Sequence, residues 1–569
     1  MKLLIRDYLA SLREREELDA ILPDLLSELG FHVYSRPQRG TVQHGVDIAA
    51  VGVDEDGDRK VFLFSVKQGD LTRQDWDGSP QALRSSLNAI EDVYIHHRIP
   101  TQYKDLKIVI CLTFGGDIQE QVRDAVAGYI AAHTSDRMSF QEWNGDKIAA
   151  LLLQGILREE VLPKPLRSRF QKTVAMADEP DVSYEHFRRL AQALLANSTA
   201  SAKARVRAAR QLYLCVWILF VWARDAGNLE TPFRASELAV LSGWELLRPV
   251  IGSKTKDTKA LNGVVMQLVR LHLTVASEFL VVRIAPHASV LHGISRAFGA
   301  QNAVDINLAL FEVLGRIGMT GLWAHWLAER PDCPNPQALI AQSEALTGLG
   351  LDLIRNNPAL LLPIADRQTT DIALFLQLWL STQRDPHEVG DWLEEMGARL
   401  SFTVRTRGQY PTCATDYRDL VEHPGKVDDD AYFDEATAGS TLIPLLVTWL
   451  AALGRTNAAG ALATLGQERL PHCTLQLWTP DAESEIGLYI GQDPAGTALT
   501  NLVLGTDGSA LGEAIAQACR HHTGLSRLSA IQAGCWPVVL MACRHHHLPV
   551  PPGFWIASLH PDVDETAAA

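Results

Sequence analysis

Residues 44–70 read HGVDIAAVGVDEDGDRKVFLFSVKQGD, and their interpretation decides the fold of the first part of the chain. Two apolar runs, VDIAAV and VFLFSV, flank DEDGD, a turn signal that fits a hairpin. Asp47 sits inside the first run, and Lys67 closes the second, whose body is Val61, Phe62, Leu63 and Phe64. In such a hairpin, Asp47 near one end and Lys67 near the facing end can project to the same side. A carboxylate there is a hard oxygen ligand suited to Mg2+. An ammonium beside it orients an attacking water and offsets charge on a phosphate oxygen. Metal, water and lysine together are what phosphodiester hydrolysis needs, because its barrier is charge developing on oxygen. Strand ends hold such groups on a rigid base.

Working outward, Leu18, Ile21, Leu22, Leu25, Leu26 and Leu29 follow helical spacing, and Gly30 ends that helix. FHVYS reads as a short strand before the hairpin. After it come a helical stretch (SPQALRSSLNAIEDVYI), the continuous apolar strand LKIVICLTF, a helix over 117–133, the strand MSFQEW and a closing helix over 144–157. The order α-β-β-β-α-β-α-β-α predicts an α/β domain.

These features together resemble the PD-(D/E)xK nuclease superfamily, and within it the Mrr-like restriction endonucleases, over roughly residues 10–160. The first helix, LDAILPDLLSELGF, places Asp19 at the family's acidic position, with Leu25-Leu26 and Leu29-Gly30-Phe31 in register; Glu17 is an alternative. Gly45-Val46-Asp47 matches the family's Gly-Ile/Val-Asp, and Ser65-Val66-Lys67 stands where Glu/Gln-x-Lys is usual. The resemblance implies a restriction-endonuclease-like fold and a Mg2+- or Mn2+-dependent endodeoxyribonuclease. Asp47 and Asp19 would hold the metal with the main-chain carbonyl of Val66, and Lys67 would act on the water. Ser65 departs from the pattern: a hydroxyl is neutral and a weaker ligand than a carboxylate, so its role is a supporting one. Gln68 and Asp70 lie just beyond and could compensate. Such fusions are commonly bacterial restriction or antiphage defence effectors, held in check by a protein trigger or operon partner. The alternative is a degenerate nuclease fold kept as a nucleic-acid-binding or scaffold subunit of a defence complex.

The remaining chain fills out a multidomain protein. Residues 1–165 form the nuclease-like domain, 166–183 read as a linker, 184–466 as a mostly α-helical array that senses, interacts or oligomerises, and 467–569 as a smaller α+β domain with a frayed tail. In the last part CTLQLW and IGLYIG read as strands. Residues 1–165 contain 26 acidic and 19 basic side chains, a poor balance for gripping DNA alone. Another domain or an oligomeric partner is therefore expected to supply the grip, and a homo-oligomer is the expected assembly.

Eight scattered cysteines in 569 residues argue against a disulfide framework and for a reducing cytoplasm. The apolar runs at 212–223 and 442–454 are too short to span a bilayer and read as core helices, so no membrane partner is expected. No GxxxxGK[ST] occurs, so no nucleotide cofactor is expected. The pentapeptide ACRHH occurs twice, giving Cys519, His522, Cys543 and His546 as a zinc set. Basic residues ending two helices is the preferred reading. Asp428, Asp429, Asp430, Asp434 and Glu435 lack the glycine spacing of a calcium loop and read as a solvated loop. Trp217, Trp222, Trp323, Trp326 and Trp379 are spaced as core or interface anchors.

Overall fold

The computed structural model describes residues 18–36, 43–54, 56–155, 164–198, 201–297, 302–331, 333–382, 385–483, 485–491, 496–500 and 502–559, with residues 6, 9 and 300. The chain divides into two compact units, residues 1–235 with 255–264, and residues 236–254 with 265–569.

In the first unit the hairpin forms as its alternation requires. Strand β2 (Ile48–Val53) pairs antiparallel with β3 (Arg59–Lys67), in register from Ile48↔Phe64 to Val53↔Arg59. The turn is tied by Asp54, whose Oδ1 accepts the amides of Asp56 and Asp58 at 3.1 and 2.9 Å. Gly57 supplies the left-handed residue, with φ of +85°. Helix α1 (Asp19–Glu28) leads to β1 (His32–Ser35), which pairs antiparallel with β2. After β3 come α2 (Arg73–Asp77), α3 (Leu83–Ala89), β4 (Ile108–Phe114), α4 (Glu120–His133), β5 (Met138–Trp143) and α5 (Gly145–Gly155). β3, β4 and β5 are mutually parallel, giving a five-stranded mixed sheet in sequence order.

Both faces are covered, which is why β3 and β4 read as unbroken apolar runs rather than alternating ones. On one face Ala49, Val51, Val61, Leu63, Ile110 and Leu112 pack with Leu83, Leu87, Ile90, Val122 and Val126. The alternate residues Phe62, Phe64, Val66 and Cys111 are buried on the other. This face includes Trp143, set edge-on to Phe64 with ring centroids 5.0 Å apart.

The expected linker does not exist as such. Residues 166–183 lie in α6 (Lys164–Ala175) and the start of α7 (Pro180–Ala196), followed by α8 (Ala202–Asp225) and α9 (Glu230–Leu247). Leu166, Phe170 and Val174 bury one face of α6 at four-residue spacing. Pro180 occupies the first turn of α7, where a missing N–H costs nothing. Two helical stretches, Ala202–Arg224 and Lys256–Ala288, are long and apolar enough to cross a membrane, longer than the apolar runs suggest. In the first, 83% of the apolar window is buried within the protein.

The second unit is mostly helical and carries few strands. Its centre is α10 (Ala303–Ala328), buried along most of its length against α11 (Pro336–Asn356) and α12 (Thr369–Thr382). The expected C-terminal domain falls inside this unit. CTLQLW forms two short strands, Thr474–Leu475 and Leu477–Thr479. IGLYIG does not: Glu485–Leu488 is helical. The buried Glu485 carboxylate accepts from the Tyr489 hydroxyl at 2.8 Å and from the Ser529 amide and hydroxyl at 2.7 and 2.6 Å. The Glu485–Tyr489 bond spans one helical turn, a spacing that an extended strand would pull apart, and this network overrides the strand-like composition. Likewise part of the acidic cluster is helical, Asp430–Ala436, and Asp429 caps it by accepting the amides of Ala431 and Tyr432.

Candidate active site at the carboxyl edge of the sheet

Because β3, β4 and β5 run parallel, their carboxyl ends share one edge of the sheet. β2 runs opposite to β3, so its first residues arrive at that same edge. Open α/β sheets place ligands outside the carboxyl ends of their strands.

Asp47 reaches this edge through a local irregularity. Its amide donates to the carbonyl of Phe64 at 2.9 Å, although Ile48 is already the register partner of Phe64. Two residues thus oppose one, as in a β-bulge, which bends the strand and re-aims a side chain. The Asp47 Oδ2 then accepts the amide of Val66 at 2.8 Å, standing in for a strand carbonyl. Upstream, Gly45 has φ of +80°, and a Cβ there would lie 2.1 Å from the Ser86 carbonyl oxygen. Only glycine lets the chain turn this close to α3, so the glycine of Gly-Val-Asp sets where the aspartate emerges.

Ser65 is 1% exposed, on the face of β3 that also carries Val61 and Leu63. Lys67, two residues on and therefore on the same face of β3, is half-buried at the strand's last position. Val66 is wholly buried. Gln68 is exposed. Asp70 is committed elsewhere: its Oδ1 accepts the amide of Asp117 at 2.9 Å, tying the loops that leave β3 and β4. Gly116 donates to the Gly69 carbonyl and Leu71 to the Asp117 carbonyl, both at 2.9 Å. The side chain of Asp19 and all of Glu17 lie outside the described residues; the backbone of Asp19 opens α1.

The edge also holds groups that sequence reasoning missed. Arg6 forms ion pairs with Asp117, at the exit of β4, and with Asp146 in the first turn of α5, the latter at 3.3 Å. Neither aspartate stands in a distinctive motif, so only the convergence of parallel strand ends could have signalled them.

Among the described residues, no three His, Cys, Asp or Glu side chains converge as a metal-binding group. The described donors at this edge suit Mg2+ in kind, a carboxylate and a main-chain carbonyl, which such an ion supplements with water and phosphate oxygens. They fall short of a complete protein set. The proposed zinc residues are likewise not gathered. Cys543 is buried in the core, and His546 lies 3.2 Å from the Tyr489 carbonyl oxygen. Cys519 and His522 line a separate cleft of about 280 Å³ with Arg520 and Ser526. The two ACRHH copies do end helices, Ser509–His521 and Pro537–His545.

In the second unit Ser236 Oγ and His272 Nδ1 also stand at nucleophile–base distance, 2.9 Å apart. Both are buried, and burial pushes the imidazole down to about 4. Beside them Glu237, wholly buried, binds Arg544 through Nε at 2.8 Å and through a second guanidinium nitrogen, and His545 at 3.1 Å. With no exposed member among Ser236, Glu237 and His272, this is a structural network rather than a second active site.

No family model, curated protein or solved structure matches the chain.

Proposed function

We propose that the N-terminal α/β domain is a metal-dependent endodeoxyribonuclease that uses Mg2+ or Mn2+. The observation that carries this reading is the bulge that turns the Asp47 carboxylate onto the Val66 amide, beside the strand end that bears Lys67. Asp47 and the Val66 carbonyl would hold the ion, with Asp19 as a further candidate from α1; the ion would supply Lewis-acid stabilisation of charge on the phosphate oxygens. Lys67 orients the attacking water and offsets the developing charge. The Val66 amide holds one oxygen of Asp47 at 2.8 Å and so fixes the orientation of the carboxylate. A restriction or antiphage role, cytoplasmic location and oligomeric assembly belong to the same reading.

One observation favours a second reading. Ser65 is enclosed and neutral where the family places a carboxylate or carboxamide, which suits a nuclease fold retained for binding or scaffolding. Incubating plasmid with the full-length protein and with Asp47→Ala and Lys67→Ala, in Mg2+ or Mn2+, separates the two. Nicking by the parent alone is the expected result. Equal nicking by all three, or none by any, removes the enzyme reading.

A further inference from the structure

Just before Asp47 the chain makes a tight turn whose geometry asks for glycine twice and receives it once. The Val46 amide donates to the Gln43 carbonyl at 3.2 Å, and the two residues between them, His44 and Gly45, have φ of +50° and +80°. Two successive left-handed residues inside a four-residue turn mark the type I′ class, which favours glycine, asparagine and aspartate. The turn is held from both sides. Gly45 lies against the Ser86 carbonyl of α3, and the Gln43 carboxamide donates to the Arg36 carbonyl, just past β1, at 3.3 Å.

The fold makes no use of the His44 side chain. Its imidazole is half-buried, yet among the described residues it forms no hydrogen bond, ion pair or ring contact. A Cβ in the left-handed region is disfavoured, and glycine or asparagine would make the same turn with less strain. A strained residue that its surroundings hold in place, with a side chain idle in packing, points to function. Its position indicates which function. The turn feeds the amino end of β2, which arrives at the carboxyl edge of the sheet where β3 ends on Lys67. Three residues of extended chain span about 11 Å at most, and a turn shortens that, so one bound strand can meet both His44 and Asp47.

We propose that His44 is a substrate-binding residue of this edge: a ring N–H donates to a phosphodiester oxygen of the DNA strand whose scissile phosphate faces Asp47 and Lys67. The proposal rests on the nuclease reading for the identity of the strand, and it adds a contact outside the acid–lysine pair. An imidazole carries at least one N–H in either protonation state, so the contact does not depend on titration. Phosphate contacts of this kind set the register of the nucleic acid without reading its sequence. His44 thereby places the scissile bond against the metal-binding edge, from a turn whose backbone is already fixed.

The test is a footprint, and it needs no cleavage. Trypsin cutting after Arg39 and Arg59 releases residues 40–59, in which His44 is the only histidine. Full-length protein bearing Lys67→Ala is treated with diethyl pyrocarbonate, with and without a saturating DNA duplex in Mg2+, and the modified fraction of that peptide is read by mass spectrometry. The duplex is expected to slow modification of His44 several-fold. The exposed His96 and His97, which precede the start of β4 at the opposite edge, should react at an unchanged rate. In the same background His44→Gly, which suits the turn, is expected to weaken duplex binding about two- to tenfold, the worth of one hydrogen bond, and to melt close to its parent. Undiminished reactivity of His44 under saturating duplex, unchanged affinity in His44→Gly, or binding confined to RNA overturns the proposal. Absence of any duplex binding overturns it together with the nuclease reading. Plasmid left intact by the wild-type protein while the duplex still shields His44 removes the enzyme reading and leaves the contact standing.

Discussion

Two substitutions at Asp47 separate its part in the fold from the metal-binding part proposed for it. Asparagine keeps an oxygen for the Val66 amide and removes the charge; alanine removes both. Val66 is wholly buried and its amide lies 2.8 Å from Asp47 Oδ2. Asp47→Ala therefore leaves a buried donor unsatisfied, at a cost of about 1–3 kcal/mol. At roughly 1.4 kcal/mol per tenfold, that is about a five- to hundredfold fall in the folding constant of the domain. Asp47→Asn exchanges a charged acceptor for a neutral one and should cost about 1 kcal/mol or less. Urea unfolding gives the stabilities, and hydrogen exchange at the Val66 amide reports the same loss locally. Both variants should fail to nick plasmid, because an amide oxygen is a poor substitute for the anionic ligand. Parental nicking by Asp47→Asn refutes the ligand role. Parental stability and parental exchange at Val66 in Asp47→Ala refute the structural argument.

In the second unit, Arg544→Met strands the Glu237 carboxylate, 0% exposed, beside His545. Breaking such a buried pair should cost about 3–5 kcal/mol in urea unfolding, and adding Glu237→Leu should recover more than half of it. Burial holds His272 down to about 4, so the folded imidazole stays neutral while the unfolded one takes up a proton below about 6.5. Its contribution is complete above about pH 6.5 and is lost as pH falls towards 4, at up to roughly 1.4 kcal/mol per pH unit. His272→Gln should flatten the stability profile over that interval; an unchanged slope argues against a neutral buried imidazole. Gly318→Ala on α10 would set a Cβ 2.8 Å from the backbone of Leu374 and Phe375 on α12. A backbone cannot swing aside as a side chain can, so thermal unfolding should register about 1–3 kcal/mol of destabilisation.

The order of strands and helices around the hairpin was legible because period-two alternation, a glycine-bearing turn and a closing C-terminal glycine are local signals. The bulge at Asp47 was not, since it depends on how β2 meets β3 and leaves only Gly45 as a trace. Residues 166–183 were misread for a different reason. The buried positions of α6 are spaced correctly, but dense charge on its exposed side obscures the period, and Pro180 looks like a breaker when it is an initiator. IGLYIG failed because Glu485, which holds Tyr489, answers to Ser529, 44 positions away in the chain, and composition cannot record that. The same blindness covers the network of Glu237 with Arg544, whose members are separated by 307 positions.

Charge shows most plainly what a sum conceals. A formal net charge of -15 argues against a protein that coats nucleic acid, but the potential near a surface depends on where charges sit, and it fades over about 8–10 Å in physiological salt.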